Sequence, residues 1–592
     1  MRPSASKISE YAIRGIFNYP LVILDALIGS TSLAIYIQIA FGKANGDGIF
    51  YLVNVAVACA FGLPFLFALS LWGKRIRNPI LNFFLQISGV LIVFWVYALL
   101  PKTADAYNLV TIYRVGASIL CAVLLCTFIL FFQVDAGNGF WQFNRVCFAA
   151  ALSASLYAAL LFLGACLALY SFRYLFQIQI EKKPFIQAFI FFFGVIDVWY
   201  FLALLPVRPE ALEAEKKYPK GLKLIAQYAL IPLISSYGLI LYAYGLKIVF
   251  KWQLPEGGVA TLVTAFGAMG IVAIFLIYPI RNQESKRWVI FFKNIFYIAL
   301  LPLLALLLVA VCRRIETYGF TEARYFLLIL SIWLVGIAIY FIRKQDGKLI
   351  YIPMSLFVVI SLASAVPYYN AFSVGKKSQV DRLQELFQAG PISVSDTLSA
   401  RPTSPDTLEQ VRSILTYLDA RDELGAVSPY FGQRGEKIIS GGSYPDAVKV
   451  LALMALLQRK SNGWHDKTLY VNPTKIALND FVYLIPVDEP NPQNRSFDER
   501  STQSWIEGLY LCVHFQSHTV RIPLADKLFD VNSVSFKRLN KLDSLVFTAT
   551  DSLYAAELWV ERLELRSFFN RDSIEIKGVK GYCLLKKNDS ID

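Results

Sequence analysis

About eleven apolar runs in the first 370 residues constrain this chain more than any other feature. Each is roughly 20 residues or longer, the length at which an α-helix crosses a hydrocarbon core about 30 Å thick. They fall near residues 20–41, 49–72, 79–100, 110–133, 146–171, 184–205, 222–250, 258–280, 288–311, 325–342 and 349–368. In lipid every backbone N–H and C=O must find its partner within the protein, so runs of this kind become helices. The first follows Arg2, Lys7 and Arg14, is longer than a signal-peptide core and shows no small-residue cleavage site; it reads as an uncleaved span.

Composition agrees, with 56% hydrophobic residues and a mean hydropathy of +0.50. Charge divides the chain in two. Residues 1–370 carry about +15 and residues 371–592 about −1, which predicts two solvents: a polytopic transmembrane domain over 1–370 and a soluble domain over 371–592. The basic excess sits in short loops, where it orients spans rather than binding nucleic acid. With the N-terminus inside, inside segments hold about 18 Lys and Arg against about 10 outside. The expectation is a cytoplasmic N-terminus and, with an odd span count, an extracytoplasmic C-terminal domain.

The soluble half reads as α+β. Residues 376–388, 407–424 and 446–458 have helical periodicity. Residues 480–487, 509–515, 519–523, 544–549, 556–560 and 573–585 alternate or are β-branched, and 488–501 is a loop rich in Pro, Asn and charge.

Recognisable chemistry is scarce. There is no phosphate loop, no H-E-x-x-H, no G-x-S-x-G and no calcium loop. All three histidines lie beyond residue 464, and Cys512 and Cys583 form no C-x-x-C, so neither a catalytic residue, a metal site nor a cofactor is expected. His514 and His518, read as two repeats along one strand, lack a clear third ligand. Glu557, Glu561 and Glu564 read as a solvated face around a buried Trp559.

Charges within the apolar runs stand out more, because lipid makes them costly. Asp25, Arg114, Arg145, Arg173 and Lys293 lie near run ends and can snorkel to the interface. Asp197, in Phe-Gly-Val-Ile-Asp-Val-Trp-Tyr, is near the middle of its run and needs a cation or water from another helix. Gly257, Thr261, Thr264 and Ala268 form one stripe of small residues, and Tyr228, Ser235 and Tyr242 a polar one; helix packing explains both. The polar hinge at 313–324, Arg-Arg-Ile-Glu-Thr-Tyr-Gly-Phe-Thr-Glu-Ala-Arg, is more crowded than a chain reversal requires. Gly319 suits a positive φ, and Thr321 with Glu322 suits the cap of the next helix. Arg314, Tyr318, Thr321 and Arg324 are the hinge's candidates for holding an anionic group.

Two stretches carry a family resemblance. Ser236-Tyr-Gly-Leu-Ile-Leu-Tyr-Ala-Tyr-Gly-Leu-Lys-Ile with Lys251-Trp-Gln-Leu-Pro-Glu-Gly-Gly, then Arg314-Ile-Glu-Thr-Tyr-Gly-Phe-Thr-Glu-Ala-Arg-Tyr, resemble the bacterial membrane family catalogued as domain of unknown function 4153. Tyr369-Asn-Ala-Phe-Ser-Val-Gly-Lys-Lys is similar to the segment that leaves the membrane in those proteins, though without the Gly-Pro expected just before it. The resemblance, centred on residues 222–390, implies a bacterial inner-membrane protein and brings no activity.

Three functions fit this reading. One is a transport or permeation protein taking a small molecule past Asp197, Arg114 and the tyrosines of the seventh run. The second is an enzyme or accessory factor of envelope assembly that grips a lipid-linked headgroup at the hinge. The third is a sensor or scaffold working through the soluble domain. The bilayer is the one partner common to all three.

Overall fold

A computed structural model of the chain describes residues 15–40, 47–104, 106–132, 137–177, 181–206, 218–251, 259–280, 287–344, 347–389 and 405–431, with positions 436, 439, 449, 450 and 453. Beyond these it describes segments 465–470, 483–487, 503–507, 510–515, 518–524, 545–550, 554–568 and 573–587. The chain divides into two compact units, Met1–Gln379 and Val380–Asp592.

The first unit is helical. Ten helices among the described residues are long and apolar enough to span a membrane: α1 Pro20–Ala40, α2 Tyr51–Gly73, α3 Pro79–Leu99, α4 Leu109–Phe128, α5 Gly137–Phe176, α6 Lys183–Leu204, α7 Gly221–Lys251, α8 Val259–Ile277, α9 Arg287–Tyr318 and α10 Glu322–Arg343. Their surfaces require lipid. Along α3, Phe83, Phe94 and Trp95 are each more than 60% exposed, a density of bare aromatics that water does not tolerate. This is an integral, multi-pass membrane protein.

Local chemistry sets the ends of these helices. Asn78 accepts from Ile80 N at 3.0 Å, with Pro79 in the first turn of α3, and Asn108 accepts from Thr111 N at the start of α4; both are side-chain N-caps. The eleventh run forms a shorter helix than its 349–368 span, α11 Tyr351–Ala365, because Pro367 biases Val366 away from helical geometry. Fifteen residues rise only about 22 Å at 1.5 Å each, less than the hydrocarbon core. In contrast, α5 overshoots its predicted run. At 40 residues it is about 60 Å long, and its first two turns bury Phe140, Trp141, Gln142 and Phe143.

Two spans contain π-turns, Phe192–Ile196 in α6 and Ile225–Leu230 in α7. Such one-residue insertions often mark functional positions. At the first, Gly194 admits Ser30 of α1 into the space a Cβ would fill. Packing between α1 and α2 is similarly close. A Cβ on Gly29 would lie 2.7 Å from the Cβ of Cys59, and one on Gly62 would lie 2.6 Å from Asp25 Oδ1.

After α11, Asn370 accepts from Ser373 N at 2.8 Å and starts α12, Ala371–Ala389. In the second unit α13, Pro405–Asp419, buries Val411, Ile414, Leu415 and Leu418 at helical spacing against Leu383, Phe387 and the 3-10 segment Leu424–Phe431. Arg421, 2% exposed, is held by Glu423 Oε2 at 2.8 Å and by the Tyr417 hydroxyl at 2.6 Å. The helix expected over 446–458 lies mostly outside the described residues, as does the 488–501 loop.

Eight antiparallel strands follow among the described residues: β1 His465–Tyr470, β2 Tyr483–Val487, β3 Gln503–Glu507, β4 Tyr510–Phe515, β5 His518–Pro523, β6 Leu545–Thr550, β7 Tyr554–Phe568 and β8 Ser573–Lys587. One sheet runs β1-β7-β8-β2 with β6 also on β7; the other is β3-β4-β5. The sequence reading did not include β1 or β3. Two of its local readings are corrected. His514 and His518 lie on neighbouring strands of a hairpin, pairing with Thr519 and Phe515, not two repeats along one strand. Along Ala555–Val560 of β7 the buried positions are Ala556, Leu558 and Val560, whereas Trp559 is half-buried beside Glu557, to which its Nε1 donates at 3.3 Å.

Candidate functional site

The π-turn of α6 ends at Asp197. Ser155 Oγ of α5 lies 3.3 Å from both Oδ1 and Oδ2. One hydroxyl can donate to only one oxygen at a time, and 3.3 Å is long for an O–H···O bond. Among the described residues, no cation pairs with this carboxylate. Next to it is a cavity of about 340 Å³, within the usual range for small-molecule sites.

Five helices build the cavity. Helix α1 gives Val22; α2 gives Leu63, Pro64 and Phe67; α4 gives Val123, Cys126 and Thr127; α5 gives Asn144, Cys147, Ala151 and Ser155; α6 gives Asp197, Val198, Phe201 and Leu202. The apolar part of the wall dominates, and Ala151 is exposed on the bundle surface, so the cleft has a side open to lipid. Asn144 is already committed, donating to the carbonyls of Thr127 and Phe140 at 3.0 and 2.9 Å. Cys126 Sγ likewise donates to Pro64 O at 2.9 Å. Asp197 is therefore the polar group of the wall least served by the protein itself.

Arg114, the expected companion of Asp197, lies elsewhere. It is exposed near the start of α4, its guanidinium 5.0 Å from the Phe372 ring centroid. The α4 residues that line the cavity follow two and a half to nearly four turns later. Of the other charges near run ends, Arg145 donates Nε to Gln142 Oε1 at 2.9 Å. Asp25 is packed inside the bundle: it is 7% exposed, set against Gly62 and Cys59, and its Oδ2 has no hydrogen-bond partner. The sequence shows how far Asp25 stands from a helix end, not that α2 opposes it with a glycine.

The hinge is the end of one helix and the start of the next. Residues Arg313 to Tyr318 continue α9, and Gly319 turns the chain at φ +69°. A helix C-terminus leaves carbonyls without partners, and here side chains supply the donors. Arg324 Nη1 donates to Tyr318 O and Gly319 O at 3.0 and 2.8 Å. Gln379 Nε2 donates to Tyr318 O and Phe320 O, both at 2.9 Å. Phe320 N donates to Ser378 Oγ at 2.9 Å. Thr321 holds the N-cap backbone position of α10 but its side chain makes no capping bond, contrary to the expected cap. Arg314 is exposed on α9. The hinge thus points carbonyls inward, where a phosphate would need N–H groups.

Polar side chains of the two stripes also serve packing. Tyr242 donates its hydroxyl to Ala299 O at 2.5 Å, and Thr264 bonds back to Ala260 O at 2.7 Å. Gly257 lies outside the described residues. No group of three or more His, Cys, Asp or Glu that could hold a metal occurs among the described residues.

Comparison with known proteins gives kinship without chemistry. An uncharacterised protein of Pasteurella multocida (strain Pm70), PM1469, is 27% identical over 269 residues, spanning 45% of each chain. This chain therefore covers less than half of that relative's length. No solved structure matches. A family model described as a domain of unknown function (DUF4153) matches residues 25–387, reaching well before the 222–390 stretch that carried the resemblance, and on that match the chain belongs to this family.

Proposed function

We propose that this is a bacterial inner-membrane transport or permeation protein whose substrate is a small amphipathic molecule carrying a positive or hydrogen-bond-donating group. The carrying observation is Asp197, a carboxylate with one long hydrogen bond in the wall of a largely apolar cavity of about 340 Å³. An isolated carboxylate in such surroundings needs a cation, water or a proton. The apolar wall suits the rest of an amphiphile, and the open side at Ala151 suits arrival through the bilayer. The hinge offers less support to the envelope-assembly reading, because Arg324 is engaged by backbone carbonyls.

The test uses a matched pair of probes on full-length protein in detergent. Phenethylamine should raise the thermal midpoint and phenylethanol should not, and Asp197→Asn should remove the difference. Equal effects of amine and alcohol, or an amine shift that survives Asp197→Asn, would overturn the proposal.

For orientation we propose a cytoplasmic N-terminus, supported by the Lys and Arg distribution. The side of the C-terminal unit then depends on whether α11 crosses. With α11 as an eleventh crossing, alkaline phosphatase fused after Asp592 is expected to be active. Activity from a cytosol-only reporter at that position would reverse the assignment.

A further inference from the structure

A second cavity, of about 170 Å³, lies where the end of α8, the first turns of α9 and the end of α10 meet. Its polar lining comes mainly from one helix: Lys293, Asn294 and Tyr297 of α9, with Tyr278 opposite. Tyr297 is 3% exposed and its hydroxyl has no hydrogen-bond partner. The ring cannot turn away to find one easily, since it stacks on Phe341 with centroids 5.0 Å apart and planes 6° from parallel. An unpaired buried hydroxyl is costly, and a phenol against a cavity beside an ammonium is placed to donate to something that enters.

Among the described residues, no carboxylate lines this cavity. An ammonium, an amide and phenolic hydroxyls form a set of donors suited to an oxyanion. Position narrows the choice further. Lys293 is less than two turns from the start of α9, and the turn after α10 closes the wall with Gly347, so the cavity is near one face of the membrane. A Cβ at Gly347 would stand 2.7 Å from Tyr340 and 3.0 Å from Phe341, so the turn sits close against the α10 aromatics. The same turn carries exposed Arg343, Lys344 and Lys348, a basic rim of the kind that attracts anionic headgroups. Asn294 and Ile298, one turn apart on α9, are exposed at the mouth. The cavity thus opens sideways onto the apolar surface, where an acyl chain would lie.

We propose that this cavity binds a phosphate oxyanion, with Tyr297 Oη, Lys293 Nζ and the Asn294 amide as donors. It is separate from the Asp197 cleft and does not depend on the reading of that site.

The experiment takes delipidated full-length protein in a neutral detergent and titrates three probes: dioctanoyl phosphatidylglycerol, dioctanoylglycerol and inorganic phosphate. Phosphatidylglycerol should bind while dioctanoylglycerol, which lacks the phosphate, should not. Tyr297→Phe, which keeps the stacked ring, should weaken binding roughly tenfold, the worth of one hydrogen bond to a charged group. Asn294→Asp, at an exposed position that folding tolerates, should weaken it further by charge repulsion. Inorganic phosphate binding with the same sensitivity to both variants would support the oxyanion site and make its source a soluble phosphate. Dioctanoylglycerol binding as tightly as phosphatidylglycerol, affinities unchanged in both variants, or no binding by either phosphate probe would overturn the proposal.

Discussion

Replacing Gly62 by Ala tests how the Asp25 carboxyl is accommodated between α1 and α2. The new Cβ would lie 2.6 Å from Oδ1 and 2.9 Å from both Cγ and Oδ2, where ordinary contacts begin near 3.4 Å. The carboxyl must retreat by roughly half an ångström or more. It has little room, being 7% exposed with Cys59 beside it and Gly29 pressing on Cys59 from α1. Overpacking of this kind costs about 1–3 kcal/mol, a loss on the order of 2–10 °C in thermal midpoint.

The structure predicts more than a loss. Asp25→Ala removes the atoms the new methyl strikes, so the double variant Asp25→Ala with Gly62→Ala should be at least as stable as Gly62→Ala alone. The interaction energy should be favourable by about 1 kcal/mol or more, as expected for residues in contact. The assay is detergent-solubilised thermal unfolding followed by loss of monodisperse protein on size exclusion, for wild type, both single variants and the double. If the two substitutions add with no coupling, or if Gly62→Ala is as stable as wild type, the close approach of carboxyl and glycine is not what shapes this seam.

Other expectations follow from single groups. At the hinge, Arg324→Ala leaves the carbonyls of Tyr318 and Gly319 without that donor and should cost about 1–3 kcal/mol, whereas exposed Arg314→Ala should stay within about 0.5 kcal/mol; equal losses in thermal midpoint would contradict the assignment. In the second unit, Glu423→Ala takes away the 2.8 Å carboxylate partner of buried Arg421 and should destabilise by about 1–3 kcal/mol, read as a lower denaturant midpoint of the fragment 371–592; no change would mean this pair contributes nothing to the fold. Burial pushes the Cys583 thiol from its ordinary value near 9 up to about 12. The folded state therefore holds a proton that the unfolded thiol gives up, and stability of the same fragment should fall as pH rises from 9 towards 12, by up to about 1.4 kcal/mol per pH unit. Cys583→Ala should flatten that slope, and an unchanged slope would remove Cys583 as its cause.

The architecture was legible in the sequence because its strongest signal, uninterrupted apolar length, is local. Even α5 was found, although Gln142, Asn144 and Arg145 made its run seem to begin at 146, about two turns late. Their polar atoms are occupied by one another or by backbone carbonyls, and hydropathy cannot see such pairing. The site was legible only in part. Asp197 stood out because no neighbour in its own run could serve it, and the structure adds Ser155 and a cavity from four other helices. Asp25 and Tyr297 were not singled out as sites, because what matters at each is an opposing element: Gly62 across the seam, and Phe341 with the Gly347 turn. The hinge misled for a related reason. Its arginines looked like anion ligands, but Gly319 ends a helix, and helix ends present carbonyls to whatever cation is near.

That last point separates structural polar groups from functional candidates throughout the bundle. Pro279 has no N–H, so Phe275 O lacks the partner that residue i+4 normally provides; Trp141 Nε1 supplies it at 2.6 Å. The next carbonyl, Leu276 O, takes the Tyr218 hydroxyl at 2.9 Å, and burial of that phenol raises it to about 12, keeping it a donor. Asn54 Nδ2 serves Pro101 O at 2.7 Å, Tyr325 serves Tyr369 O at 2.6 Å, and Arg324 serves the hinge. Each of these side chains is explained by a carbonyl that helix geometry leaves open, as a membrane demands. Among the described residues a different set remains after this accounting: Asp25 Oδ2, both polar atoms of Gln227 in the second π-turn, the Tyr297 hydroxyl and the Ser364 hydroxyl, and Asp197 with its single long bond. Keeping such groups in lipid costs free energy that no internal partner returns. A substitution survey for function should therefore begin with Asp197, Gln227 and Tyr297, and Arg324 belongs with the determinants of folding.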